Sequence, residues 1–128
     1  MKNLFRFLFI LSCTFLWSQE KKSTATENVK IISENFDVPQ FKTTRRIWIY
    51  LPKDYETSRK KYSVMYLQDA QNLFDDATSY AGEWQVDETL NKIFEKTGKS
   101  VIVAAIDNSG VVRSEDLSPF KNAKYGGG

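Results

Sequence analysis

The chain has 128 residues, of which 41% are hydrophobic, 14% aromatic and 27% charged. That is enough apolar material for one packed domain and too much for a disordered chain. It has no histidine and a single cysteine, Cys13, which excludes a complete Ser-His-Asp or Cys-His nucleophilic system, a His/Cys zinc site and a disulfide framework within these residues. The 18 basic residues include Lys2 and Arg6; the remaining 16 face 16 acidic residues, a neutral balance that argues against nucleic acid as a partner.

Lys2 and Arg6 flank the start of an apolar run that continues through Cys13 to Trp17 and meets polar residues at Ser18. A basic start, a short apolar centre and a small residue at the exit describe a secretory signal over residues 1–18. The protein is therefore expected to be exported, periplasmic or extracellular, with no stable membrane span once the signal is removed. A lipidated Cys13 fits less well, because Thr14 to Trp17 stay hydrophobic where a lipoprotein would turn polar. Residues 19–28 are polar and unpatterned and read as a flexible lead-in; residues 29–128 read as the domain.

Val29 to Val38 alternates weakly and predicts a first strand, ended by Pro39. Thr43 to Leu51 alternates more strongly: Ile47, Ile49 and Leu51 point one way, and Arg46, Trp48 and Tyr50 the other. Tyr62 to Leu67 is apolar at nearly every position, the pattern of a parallel strand covered on both faces. Gln68-Asp69-Ala70-Gln71-Asn72 is a polar loop. Trp84 to Thr97 predicts a helix with Val86, Leu90, Ile93 and Phe94 on one face, Asp87 and Glu88 early, Lys96 late, and Gly98 at the C-cap. Val101 to Ile106 is a second apolar strand, so strand, loop, helix and strand make a βαβ unit. Val111 to Gly128 has no period. Two apolar strands and one helix cannot cover both faces of a sheet, so the chain reads as the front portion of a larger α/β domain.

The residues from Arg46 onward carry a resemblance. They are Ile47-Trp48-Ile49-Tyr50-Leu51-Pro52-Lys53-Asp54-Tyr55, the run from Tyr62 to Asp75, Gly82-Glu83-Trp84-Gln85-Val86-Asp87, Ala105-Ile106-Asp107-Asn108 and Tyr125-Gly126-Gly127-Gly128. In order and spacing they resemble the putative esterase branch of the α/β-hydrolases, which includes feruloyl- and acetylxylan-type carbohydrate esterases, enterochelin-type esterases and mycolyl transferases. The resemblance implies the N-terminal portion of an α/β-hydrolase three-layer sandwich: a mixed sheet with antiparallel leading strands and one βαβ unit. The family often has His-Asp-Gly where this chain has Gln68-Asp69-Ala70, and losing the glycine makes a loop that needs positive φ harder to form.

In that family the nucleophile is a serine in a Gly-x-Ser-x-Gly elbow after the next strand, with the acid and histidine further on. None of these lies in the present sequence, whose 11 serines have no histidine to activate them. The resemblance therefore implies the front of a secreted serine ester hydrolase, inactive as written, whose full-length parent takes a small-molecule or carbohydrate ester without a cofactor. One catalytic part is implied to remain: an oxyanion-hole backbone amide, at Gln71 first and Ala70 second. Gln68, Asp69, Trp84 and Asn108 are the implied pocket residues, and no metal-ligand set is expected.

Blander readings stand beside these. The 68–72 loop could be an ordinary strand-to-helix connection. Trp84 could stack on a sugar or an aromatic acyl group, although packing at the helix start is simpler. Asp75 and Asp76 read as a solvated turn or helix cap, and Arg45 and Arg46 as a solvent-facing strand edge. The glycines 126–128 lack the helix and Lys-Ser/Thr of a phosphate loop. The alternative reading is a secreted, non-catalytic interaction module, with glycans as a candidate ligand, using Trp84, Tyr80 and Gln71.

Overall fold

A computed structural model of the protein describes residues 21–118 and 120–124; residues 1–18, read from sequence as a secretory signal, with Cys13, and the run from Tyr125 to Gly128 lie outside them. Among the described residues four strands form one mixed sheet: β1 (Val29–Val38), β2 (Thr43–Tyr50), β3 (Val64–Gln68) and β4 (Ile102–Ile106), in the order β1-β2-β4-β3. β1 runs antiparallel to β2, and β2 antiparallel to β4. β3 runs parallel to β4, and helix α1 (Val86–Thr97) lies between them in the chain, which gives the βαβ unit.

Register explains the core. Trp48 pairs with Ala105, Tyr50 with Val103, and Leu67 with Ala105, so these side chains share one face of the sheet. On that face Trp48, Tyr50, Val103 and Ala105 are buried together with Ala70, Leu73 and Phe74 from the segment after β3, while Val86 and Leu90 of α1 pack against them. Trp48 and Phe74 meet with ring centroids 6.3 Å apart. The aromatic side of β2 thus carries the core, and Ile47 turns to the other face. There Ile47, Tyr66, Ala104 and Ile106 border an apolar groove of about 570 Å³.

β3 does not match its sequence pattern. It reads as a strand covered on both faces, but it is the sheet edge and its residues Val64, Met65 and Tyr66 are exposed. α1 also differs from the expected apolar face. It starts at Val86 rather than Trp84, and it turns Asp87 and Asn91, one helical turn apart, into the interior while Ile93 is exposed. The reason lies in the leading segment. Residues 21–28 run without helix or strand, and the Thr26 amide and hydroxyl both donate to Asp87 Oδ2, at 2.8 and 2.7 Å. Asn28 Nδ2 donates to the Leu51 carbonyl at 2.6 Å and to Asn91 Oδ1 at 3.2 Å. The Tyr50 hydroxyl donates to the same Asn91 oxygen at 3.1 Å. A buried polar layer therefore joins the leading segment, β2 and α1, and it is paired nearly throughout.

The helix ends as expected. Gly98 takes φ 65° and its amide donates to the Phe94 carbonyl at 2.7 Å. The region after Ile106, patternless in the sequence, forms a tight turn at 110–112 and a short helix α2 (Arg113–Leu117).

Candidate functional site

β3 and β4 are parallel and end side by side, with Gln68 opposite Ile106. The loops that leave their carboxyl ends therefore start next to each other, the place where open α/β sheets hold ligands. After β3 the chain turns sharply. Asp69 adopts a left-handed backbone at φ 60°, and Ala70–Asn72 make one tight turn closed by the Asn72 amide on the Asp69 carbonyl at 2.8 Å. The positive φ thus falls on Asp69, not on Ala70 where the related motif has glycine. Aspartate tolerates that region better than most residues, so alanine at 70 creates no backbone conflict. Ala70 and Gln71 head the turn, the position where amides have no acceptor within the turn itself.

The two loops are bonded to each other. Asn108 Nδ2 donates to Asp69 Oδ1 at 2.6 Å, and the Asn108 amide donates to Gln71 Oε1 at 3.2 Å. Arg113, at the start of α2, grips Asp69 with Nε on Oδ1 and Nη2 on Oδ2, both at 2.7 Å. That fork geometry holds the Asp69 carboxyl below its ordinary range, with the Asn108 hydrogen bond acting the same way and burial opposing both. The neighbouring Asp107 moves the other way. Burial raises its carboxyl, countered in part by Trp48, whose indole N–H donates to Asp107 Oδ1 at 2.8 Å. Gln68, Asp107, Asn108 and Arg113 border a small cavity of about 140 Å³ with Phe41 and Ile106.

The putative esterase family model matches residues 39–126. The chain belongs to the putative esterase family. No curated protein matches it. The match spans both parallel strands, the crossover helix and the two loops, and ester hydrolysis is the chemistry that goes with this family.

Within this esterase-family domain the structure brings Gln68, Asp69, Ala70, Gln71 and Asn108 together. Trp84 is placed differently. Its amide donates to the Asn72 carbonyl at 2.9 Å, while the residue is 73% exposed, so packing at the helix start is not its role. Tyr80 hangs from the same residue, its amide donating to Asn72 Oδ1 at 2.9 Å, and its ring is also exposed. The acid pair divides. Asp75, which reads from sequence as part of a solvated turn, is buried and accepts hydrogen bonds from the Ser23 hydroxyl at 2.6 Å, the Ala77 amide at 2.8 Å and the Thr24 amide at 3.1 Å. Arg45 reads as a solvent-facing edge, yet it reaches α2 and pairs with Asp116 at 2.8 Å. Sequence reasoning missed Arg113 altogether. The only available signal was an acid after one strand and a base after the next, and no spacing rule connects them.

Proposed function

We propose that this chain is the oxyanion-stabilising side of an exported serine ester hydrolase, with its sheet as the N-terminal portion of an α/β-hydrolase three-layer sandwich. The observation that carries the reading is the convergence of Asp69–Gln71 with Asn108 at the carboxyl ends of adjacent parallel strands, in a chain of the esterase family. In an ester hydrolysis, charge develops on the carbonyl oxygen as the nucleophile adds. Backbone amides aimed at that oxygen stabilise it, and they do most when they need not move during the reaction. The amides of Gln71 and Ala70 take that part here. The Asp69–Arg113–Asn108 bonds hold the turn in shape from behind. Gln68 and Asn108 border the small cavity beside the turn, and Trp84 offers an exposed ring to an acyl or sugar group. A carbohydrate ester suits such a ring. Serine attack needs a base, and these 128 residues contain no histidine. In this reading the nucleophile and base come from residues other than these, and the chain by itself does not turn over ester.

Hydrolysis of p-nitrophenyl acetate by the purified chain tests this. We expect no turnover above a heat-treated control. Turnover that survives repurification would require catalysis without histidine and would overturn the reading. A second expectation is a reading frame that carries a Gly-x-Ser-x-Gly and a later histidine.

The alternative is a non-catalytic glycan-binding module. Two exposed aromatic residues, Trp84 and Tyr80, whose backbone amides both donate to Asn72, favour it. Saturable quenching of tryptophan fluorescence by xylo-oligosaccharides, lost in Trp84→Ala, in a chain with no esterase continuation would decide for it.

A further inference from the structure

Glu83, Asp87 and Glu88 flank the first turn of α1, and one carboxylate oxygen from each lies within 4.8 Å of the other two. Acids at a helix start are common, because the helix dipole favours them there. That does not explain what these three lack. Each has one oxygen sealed from solvent that accepts no hydrogen bond among the described residues: Glu83 Oε2, Asp87 Oδ1 and Glu88 Oε2. Asp87 is the sharpest case. Its side chain is fully buried, and Thr26 takes up Oδ2 through both amide and hydroxyl. Oδ1 is the atom left for the cluster. Among the described residues no lysine or arginine forms an ion pair with any of the three. Carboxylates withdrawn from water and unpaired are costly, and a cation is the partner that would satisfy all of them at once.

We propose that Glu83, Asp87 and Glu88 form a binding site for a hard divalent cation, calcium above magnesium. All the donors are carboxylate oxygens, which select hard ions. Calcium sits about 2.3–2.6 Å from its ligands and accepts irregular shells, so oxygens on opposite sides of it stand nearly 5 Å apart. The three oxygens lie within 4.8 Å of one another, a distance such a shell can span, whereas magnesium demands a tighter, near-octahedral set. The ion would clamp the 83–85 strap onto α1 and, through Asp87 and Thr26, onto the leading segment. Trp84 lies in that strap, so the cation would also fix where the ring stands. The proposal does not depend on the esterase reading.

The test uses the full chain after chelator treatment. Terbium luminescence sensitised by tryptophan is titrated, then displaced with calcium chloride or magnesium chloride, and thermal melts are recorded with and without each salt. We expect saturable emission, displacement by calcium at lower concentration than by magnesium, and a calcium-dependent rise in Tm. Loss of even an outer-shell partner costs a metal site about 10–100-fold, so Glu88→Gln should weaken calcium binding by at least about tenfold. The metal-free Glu88→Gln protein should be no less stable than the parent, because the new amide can donate to Asp87. Glu83→Gln gives a second variant with the same expectation. Absence of saturable emission and of any calcium effect on Tm at concentrations on the order of 10 mM, above the range of weak calcium modules, would overturn the proposal. Calcium affinity unchanged in both variants would overturn it equally.

Discussion

Asp75 and Asp76 are adjacent in the chain and live in different environments. Burial pushes the Asp75 carboxyl up, yet the Ser23 hydroxyl and the Ala77 and Thr24 amides outweigh it and hold the group below its ordinary range. Asp76 keeps 42% of its side chain in solvent and makes an ion pair with the exposed Lys21 at 3.2 Å. Hydrogen bonds to a buried charge are worth about 1.5–3 kcal/mol, so Asp75→Ala should cost about 2–3 kcal/mol in urea unfolding. Asp76→Ala should cost less than about 1 kcal/mol, as surface pairs do. Equal losses would refute the division. Asp69 yields a pH prediction. Its folded carboxyl is depressed, first by Arg113, so its contribution is present above the unfolded value of about 3.9 and is lost as pH falls through the folded value. Arg113 is half-exposed, so the effect should be small. The stability difference between the parent and Asp69→Asn should be flat near neutrality and shrink below about pH 4. A difference that grows on acidification would reverse the assigned sign.

At the level of elements, the helix is governed by its ends and by one polar side. Gly98 has open space around its Cα, so a methyl group there meets no clash, but φ 65° penalises any side chain. Gly98→Ala should therefore destabilise by about 1 kcal/mol through the backbone alone, and Gly98→Asn by less. Equal effects would mean that the C-cap conformation is not what the glycine supplies. The inward-facing Asp87 and Asn91 have a different origin. Their partners, Thr26, Asn28 and Tyr50, come from distant parts of the chain, and a helical period cannot report them. Ile93 is left outside for the same reason: the side of the helix turned inward was chosen by a polar layer, not by hydrophobicity alone.

Across the whole molecule, one face of the sheet is closed by α1 and the segment around Phe74, and the other borders an open apolar groove that includes Ile47, Tyr66 and Ile106. Among the described residues no strand pairs with the outer edge of β3, which runs along the same groove with Tyr66 80% exposed. Exposed apolar patches of this kind, beside a free strand edge, promote association. The chain should bind the dye ANS and scatter light increasingly with concentration, and Tyr66→Lys should reduce both. A monomeric protein that ignores the dye would show that the groove is closed in solution.

Period two, period 3.6 and turn residues in the sequence determined the elements. Alternation over Thr43–Leu51, the apolar runs at Tyr62–Leu67 and Val101–Ile106, and Gly98 after the helix placed β2, β3, β4 and α1 within a few residues. Local sterics and side-chain spacing set these, so they are readable locally. The loops after β3 and β4 were readable as a location, because parallel strands end together. Contacts between residues distant in sequence come from packing alone: Arg113 holds Asp69, Thr26 holds Asp87, and Asp75 rather than Asp76 is buried. Polar side chains carry no periodic signature, and their partners are set by how strands and helices pack. The same holds for Glu83, Asp87 and Glu88, which read as an ordinary acidic helix start until burial removes the water that would have solvated them.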